Sequence, residues 1–560
     1  MKFKVGNFLV FRFYYFLPLV IVLFVLHLLF WFSLIVGYSN SIATLAKSPG
    51  IQNFSNDFYS LITINEFRFF QTIVFLWICL LHLVILRHKY THMLLVETFT
   101  EMKMKFRTFL RALFSLPAAL FTILIAVICV WAAWHTPITY DEAFTYNRFT
   151  HQGFLTTISN YPAPNNHVLF SLITIPFDSI NAENKMFFLR LPAIIFTITA
   201  IVIISITARK HLGKIGTWIM LSLVTISFMT IYYGHMCRGY SLTLLAFSVG
   251  IHFAMNIVSD PRKIFNHVML QASSLVGICV MPSYLYAILF LVIFIVVMEK
   301  TLSKELIVGS SIMAFFCLSF YTPILIISGY ESITSNPFTK SIPRIETLEA
   351  LPHFLHRFWQ DLFGLKVPTL IPILILLIGI LVGYRKKNKL IVVLSSLTLF
   401  LPPIILVLHS VQAFSRTFNY LIVPFSLILG FILISLFKNI NEKVVASLSL
   451  LLAIFALIMY PGKLRRHDDP AYHTAHLLDN LRKSTKVNVY SSLLEEYVVF
   501  RSWNDKLPME NYIFHGKTEV NTDTLKVHDS VIIVDKNLDR TVYQKNSFED
   551  TYYRVYDIPN

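Results

Sequence analysis

Residues Thr139–Phe170 read TYDEAFTYNRFTHQGFLTTISNYPAPNNHVLF, the most polar segment among the apolar runs of the first 460 residues. It sets two adjacent carboxylates, Asp141 and Glu142, just beyond an apolar run that ends near Trp134. A carboxylate pair at the end of a membrane helix is costly unless it meets water, a cation or a bound molecule. The pair is therefore expected to face a cavity in the membrane, with the neighbouring runs forming its walls.

Those runs decide the class. The 560 residues are 56% hydrophobic and 14% charged, with a mean hydropathy of +0.64. A soluble domain is about a quarter charged. Apolar runs recur from residue 8 to 460, each near the length that crosses about 30 Å of hydrocarbon. They are continuous rather than alternating, so they predict helices and not barrel strands. The expected fold is a polytopic α-helical membrane protein with about 13 spans. The spans fall at roughly 8–37, 68–86, 109–134, 186–208, 215–233, 239–258, 264–280, 283–298, 305–328, 367–384, 390–408, 417–437 and 444–460. Met281-Pro282-Ser283 splits one long stretch and predicts a tight hairpin.

The formal net charge of +16 does not point to nucleic acid, because the basic residues cluster in short loops between runs. With a cytoplasmic N-terminus, the loops Arg87–Arg111, Arg209–Lys214, Pro261–Lys263, Glu299–Lys304, Arg385–Lys389 and Lys438–Lys443 lie inside. Together with the N-terminus they carry roughly twice the Lys and Arg of the opposite loops. The segments His135–Lys185, Tyr232–Arg238, Gly329–Lys366 and His409–Arg416 then share the outer face. The first run is too long for a signal-peptide core and is read as a retained span. Cys79, Cys129, Cys237, Cys279 and Cys317 show no CxxC or metal-ligand spacing, which supports neither a disulfide framework nor a zinc site.

Beyond residue 462 the chain becomes polar. Alternating strands are expected at Val487–Tyr490, Val531–Val534 and Tyr552–Tyr556, and helices near Tyr472–Leu481 and Leu493–Trp503. The expected organisation is 1–108 with two extra N-terminal spans, 109–462 as the membrane core, and 463–560 as a small extracytoplasmic α/β domain. The Pro461-Gly462 pair is expected to break the last span and tether that domain.

Several residues in the outer segments could carry chemistry. Asp141 and Glu142 have a plain structural reading, since acidic residues favour a helix N-terminus. Flanked by Tyr140 and further polar groups at a membrane interface, a carboxylate could instead accept a hydroxyl proton, with partial burial raising its pKa. The prolines of Tyr161–His167 hold Asn165, Asn166 and His167 at the start of the next run. His167 is either a cap or a donor to phosphate or sugar. Arg238 and Arg416 sit at span ends, where each is either a snorkelling arginine or a clamp for lipid-linked phosphate. The 329–366 loop adds Tyr330, Lys340, Arg344, His353, His356 and Arg357, a basic and aromatic set suited to phosphate and sugar.

In order along the chain, Tyr140-Asp141-Glu142-Ala143-Phe144, Pro164-Asn165-Asn166-His167, Leu189-Arg190-Leu191-Pro192 and Arg238-Gly239-Tyr240-Ser241 resemble the GT-C glycosyltransferases. The likeness is to the polyprenyl-phosphate-dependent family 39 group, which includes protein O-mannosyltransferases and the bacterial enzyme that adds aminoarabinose to lipid A. It covers about residues 109–440. Where that family often has His-Pro-Pro, this chain has Pro164-Asn165-Asn166-His167.

The resemblance implies a membrane glycosyltransferase that moves one sugar from a polyprenyl-phosphate donor to a hydroxyl on a lipid, polysaccharide or protein acceptor. It places Asp141 as general base with Glu142 beside it. Arg238, Arg416 and His167 are the expected donor-phosphate set, and Tyr140, Asn165, Asn166, Tyr240 and Tyr330 the substrate set. The expected location is the bacterial inner membrane, multi-pass, with chemistry on the extracytoplasmic face and no nucleic-acid partner. No cofactor is required, and a divalent cation is left open. The competing expectations are a lipid or glycolipid flippase or transporter, whose inverted repeats are not seen, and a metal-dependent oligosaccharide transferase.

Overall fold

In hydrocarbon the backbone has no partner but itself, and the described apolar residues are accordingly helical. The computed structural model describes residues 22–31, 33–39, 64–180, 182–334, 341–411, 413–437, 441–481, 486–490, 492–505, 512–514, 530–535, 548–549 and 553–558. Among the described residues, nine helices are long and apolar enough to cross a membrane, or ten if the bent pair Val22–Trp31 and Ser33–Ser39 is one span.

Nine is a count over the described residues, and the expected spans outside it have specific places. The runs expected at 186–208 and 215–233 lie largely within Ala182–Ile226, two helices joined end to end with a break at Gly213. The φ of 71° at Gly213 suits glycine. Ile264–Val280 and Leu370–Arg385 have only 17 and 16 residues, short of the roughly 20 that span a bilayer. The expected span 8–37 lies partly outside the described residues.

Side-chain orientation confirms the solvent. Ile123, Val127, Leu448, Leu451 and Phe455 are all more than half exposed, an apolar belt that water would not tolerate and lipid does. Inward, Leu116–His135 lies along Ala182–Ile226. Small buried residues at the two helices, Cys129 and Ala132 on one and Ala193 and Ala200 on the other, let the backbones approach closely. Tyr240–Ser259, Ile422–Leu436 and Glu442–His467 also pack against the long helix, making it the central post.

The last apolar helix does not end at Pro461-Gly462, as expected, but runs on to His467. One proline removes one ladder bond, and helices in an apolar setting absorb that loss. Beyond it lie strands β1 (Lys486–Tyr490), β2 (Tyr512–Phe514), β3 (Ser530–Asp535), β4 (Phe548–Glu549) and β5 (Tyr553–Ile558) in the order β2-β1-β3-β5-β4. β1 pairs parallel with β2 and β3, and β5 pairs antiparallel with β3 and β4. The helix Ser492–Asp505 connects β1 to β2, as a parallel pair requires.

Candidate active site

The site is built on a buried ion pair. Leu116–His135 ends at Thr136, and after Pro137 and Ile138 the short helix Tyr140–Thr145 begins with a capping box between Thr139 and Glu142. Successive helical residues point about 100° apart, so Asp141 and Glu142 face different surroundings. Glu142 is fully buried against Arg190, with Nη2 to Oε2 at 2.7 Å and Nε to Oε1 at 2.9 Å. Arg190 also donates to the carbonyls of Ala133, Thr136 and Pro137 and to the Thr136 hydroxyl. It thereby satisfies carbonyls that the helix end leaves open.

The same carboxylate accepts the Cys237 backbone N–H at 2.7 Å. Because Glu142 holds Cys237, the next residues on each strand of chain, Asp141 and Arg238, are brought together. Burial pushes the Glu142 carboxyl up, but the charge and hydrogen bonds of Arg190, with the N–H groups of Cys237 and Thr139, outweigh it and hold it below its ordinary value. Glu142 is sealed from the cavity, so its position gives it no contact with an incoming hydroxyl.

Asp141 is about one-third exposed, and its Oδ2 lies 3.6 Å from Arg238 Nη2 and 3.5 Å from Arg416 Nη1. The Asn165 side chain adds a hydrogen bond. Burial was expected to raise the Asp141 pKa, and it does push in that direction. The two guanidiniums and Asn165 more than offset it, leaving the carboxyl below its ordinary value. Arg238 is itself buried and donates to Thr145 Oγ1 at 2.9 Å and to the Asp141 carbonyl at 3.1 Å.

His167 is buried, and Gly239 N–H donates to its Nδ1 at 2.7 Å. Burial, helped by Arg238 and Arg416, pushes the imidazole well below its usual value. The ring is thus neutral, and with Nδ1 accepting, its proton sits on Nε2. Tyr240 packs edge-on to His167 with ring centroids 4.7 Å apart, and its hydroxyl bonds to Arg416.

Two cavities meet at these residues. One, of about 550 Å³, is walled by Tyr140, Asp141, Tyr232, Tyr233, Arg238, His353, Arg357 and Arg416. The other, of about 260 Å³, is lined by Pro164, His167, Tyr240, Pro282, Tyr286 and Arg416. Arg416 belongs to both. Of the residues singled out from sequence, Tyr140, Asp141, Arg238 and Arg416 reach the larger cavity, while His167 and Tyr240 reach the smaller.

Others are not brought there. Asn166 is fully buried, with its amide spent on the Thr157 and Asn160 carbonyls. Tyr330 is 68% exposed and lines neither cavity. His356 bonds to Thr369 and Gln360.

The sequence reading missed other wall residues, among them Tyr232, Tyr233, His467, Asp468 and Tyr497. Asp468 carried a usable signal, being an acid just past an apolar run, as Asp141 is. It accepts from the Tyr232 hydroxyl at 2.7 Å. Among the described residues, no three His, Cys, Asp or Glu side chains converge as a metal-ligand set.

The long apolar helices make this a multi-pass membrane protein, and its fold is similar to that of a solved glycosyltransferase of the GT-C fold. Among the solved structures it is similar to are two of ArnT from Cupriavidus metallidurans. The apo form superposes with a TM-score of 0.53 at 11% identity, covering 78% of this chain and 97% of that one. The form bound to undecaprenyl phosphate gives 0.49 at 10% identity with the same coverage. No protein-family model and no curated protein matches the sequence.

Proposed function

We propose that this protein is a membrane glycosyltransferase that takes a sugar from a polyprenyl-phosphate donor and passes it to an acceptor hydroxyl on the extracytoplasmic face. The observation that carries the reading is the Asp141–Arg238–Arg416 cluster at the wall between two cavities. Two guanidiniums against one carboxylate leave an excess positive charge in a partly dry site, which favours an anion. The donor phosphate takes that place. The smaller cavity receives the start of the lipid chain, and the larger one the sugar and the acceptor hydroxyl.

Asp141 then accepts the hydroxyl proton as the acceptor oxygen bonds to the sugar C1 from the side opposite the phosphate. The C1–O bond to phosphate breaks, its electrons leave with the phosphate, and the anomeric configuration inverts. The leaving phosphate is a stable anion that Arg238, Arg416 and the His167 Nε2–H receive, so no general acid is needed. A phosphate between the arginines also weakens their hold on Asp141 and lifts its basicity when a base is required.

The chemistry calls for no metal, and transfer is expected to survive EDTA. Loss of transfer that added Mg²⁺ or Mn²⁺ restores would count against this reading. The main test is mass spectrometry of glycolipids and glycoproteins from cells carrying wild-type protein or Asp141→Asn. The variant is expected to remain in membranes, with one product lighter by one sugar.

A further inference from the structure

Besides residues 467–471, the C-terminal segment reaches the cavity through the helix Ser492–Asp505. Glu496, in Ser492–Asp505, is buried, and its Oε2 accepts from the Asn147 amide at 2.9 Å. Its Oε1 accepts from Arg148 Nε at 2.9 Å and Nη2 at 2.8 Å, and its backbone carbonyl accepts from Asn147 at 2.8 Å. Asn147 and Arg148 lie nearly two helical turns beyond Asp141, so this carboxylate grips the segment that carries the proposed base. The grip has an apolar backing, since Leu494, Val498 and Phe500 are buried and Phe500 packs edge-on to Tyr146 at 5.1 Å.

The residue after Glu496 is Tyr497. Its ring lies 6.4 Å from that of Tyr140, and it lines the same cavity as Asp141, Arg238 and Arg416. A helix so fixed cannot withdraw Tyr497 without breaking four hydrogen bonds to Glu496. Monosaccharides present an apolar C–H face, and an aromatic ring held at a cavity wall is the side chain that complements it.

We infer that Tyr497 is a sugar-contacting residue, a ring supplied by the C-terminal segment and positioned by the Glu496 clamp. This rests on the donor reading above and adds that the sugar subsite is shared between the membrane core and the C-terminal segment.

The test uses the purified full chain in nanodiscs. Equilibrium binding is measured for undecaprenyl phosphate alone and for undecaprenyl phosphate bearing glucose, mannose or a pentose. Wild type is expected to prefer at least one glycosylated lipid by about tenfold. Tyr497→Leu is expected to erase that preference while leaving the bare lipid phosphate bound as before. Tyr497→Phe keeps it, and Glu496→Ala reduces it.

The inference is overturned if wild type shows no preference, if Tyr497→Leu keeps it, or if Tyr497→Leu weakens both ligands alike. It is also overturned if Tyr497→Phe behaves as Leu, or if Glu496→Ala changes nothing. Failure of the donor reading has a separate signature: bare undecaprenyl phosphate that does not bind wild type, or binds Arg416→Ala equally well.

Discussion

Asp141 and Glu142 are chemically near-identical neighbours with opposite fates. Glu142 is a fully buried partner of Arg190, and removing one member of such a pair strands the other charge. Glu142→Gln is expected to cost ~3–5 kcal/mol, read as a lower unfolding midpoint in detergent. Its folded pKa is depressed, so its stabilisation is complete above the ordinary Glu value of about 4.3 and is lost as pH falls through the lower folded value. Acidifying wild type through that window should lower the midpoint, and Glu142→Gln should lack that part of the slope.

Asp141 gives a kinetic counterpart. Without ligand its carboxyl is held below the ordinary value, whereas in the proposed reaction the donor phosphate occupies the arginines and releases it upward. The acid limb of kcat/KM for donor should therefore lie at lower pH than that of kcat. Coincident or reversed limbs would contradict donor control of the base.

Close approach matters most between elements at Gly239, which starts the Tyr240–Ser259 helix. A Cβ there would stand 2.3 Å from Val280 Cγ1 and 3.0 Å from His167 Nδ1, so Val280 must shift and the close seat of His167 against the Arg238 turn is disturbed with it. Gly239→Ala should cut transfer by about a hundredfold with the protein still present in membranes. Undiminished transfer would show that His167 and Arg238 need not keep this spacing.

At this scale the sequence was only partly legible. Asp141, Arg238 and Arg416 could be read because a charge at the end of an apolar run is expensive and invites a reason. The sign of the Asp141 shift could not, because burial shows in a run of apolar residues whereas its arginine partners lie far along the chain. Nor could sequence separate Glu142 from Asp141; only the 100° offset in a short helix does that. Tyr497 was hidden for a related reason, since its place in the cavity depends on Glu496 meeting Asn147 and Arg148 across the whole core.

On the scale of the molecule, a central kinked helix holds the surrounding spans while their polar ends supply the site. The apolar belt keeps that site near the lipid surface, which suits the lipid-linked donor proposed above. Residues after 462 are not merely appended, because His467, Asp468 and Tyr497 complete the larger cavity. The broad class was plain from composition, whereas the break at Gly213 and the shortness of Leu370–Arg385 were not, since hydropathy records apolar length and not backbone geometry. The central claim remains the role of Asp141, and the comparison of glycolipids and glycoproteins by mass from wild-type and Asp141→Asn cells tests it most directly. The account predicts that one species loses the mass of a single sugar in the variant while the variant protein stays in the membrane. An unchanged profile with normal amounts of the variant would contradict it.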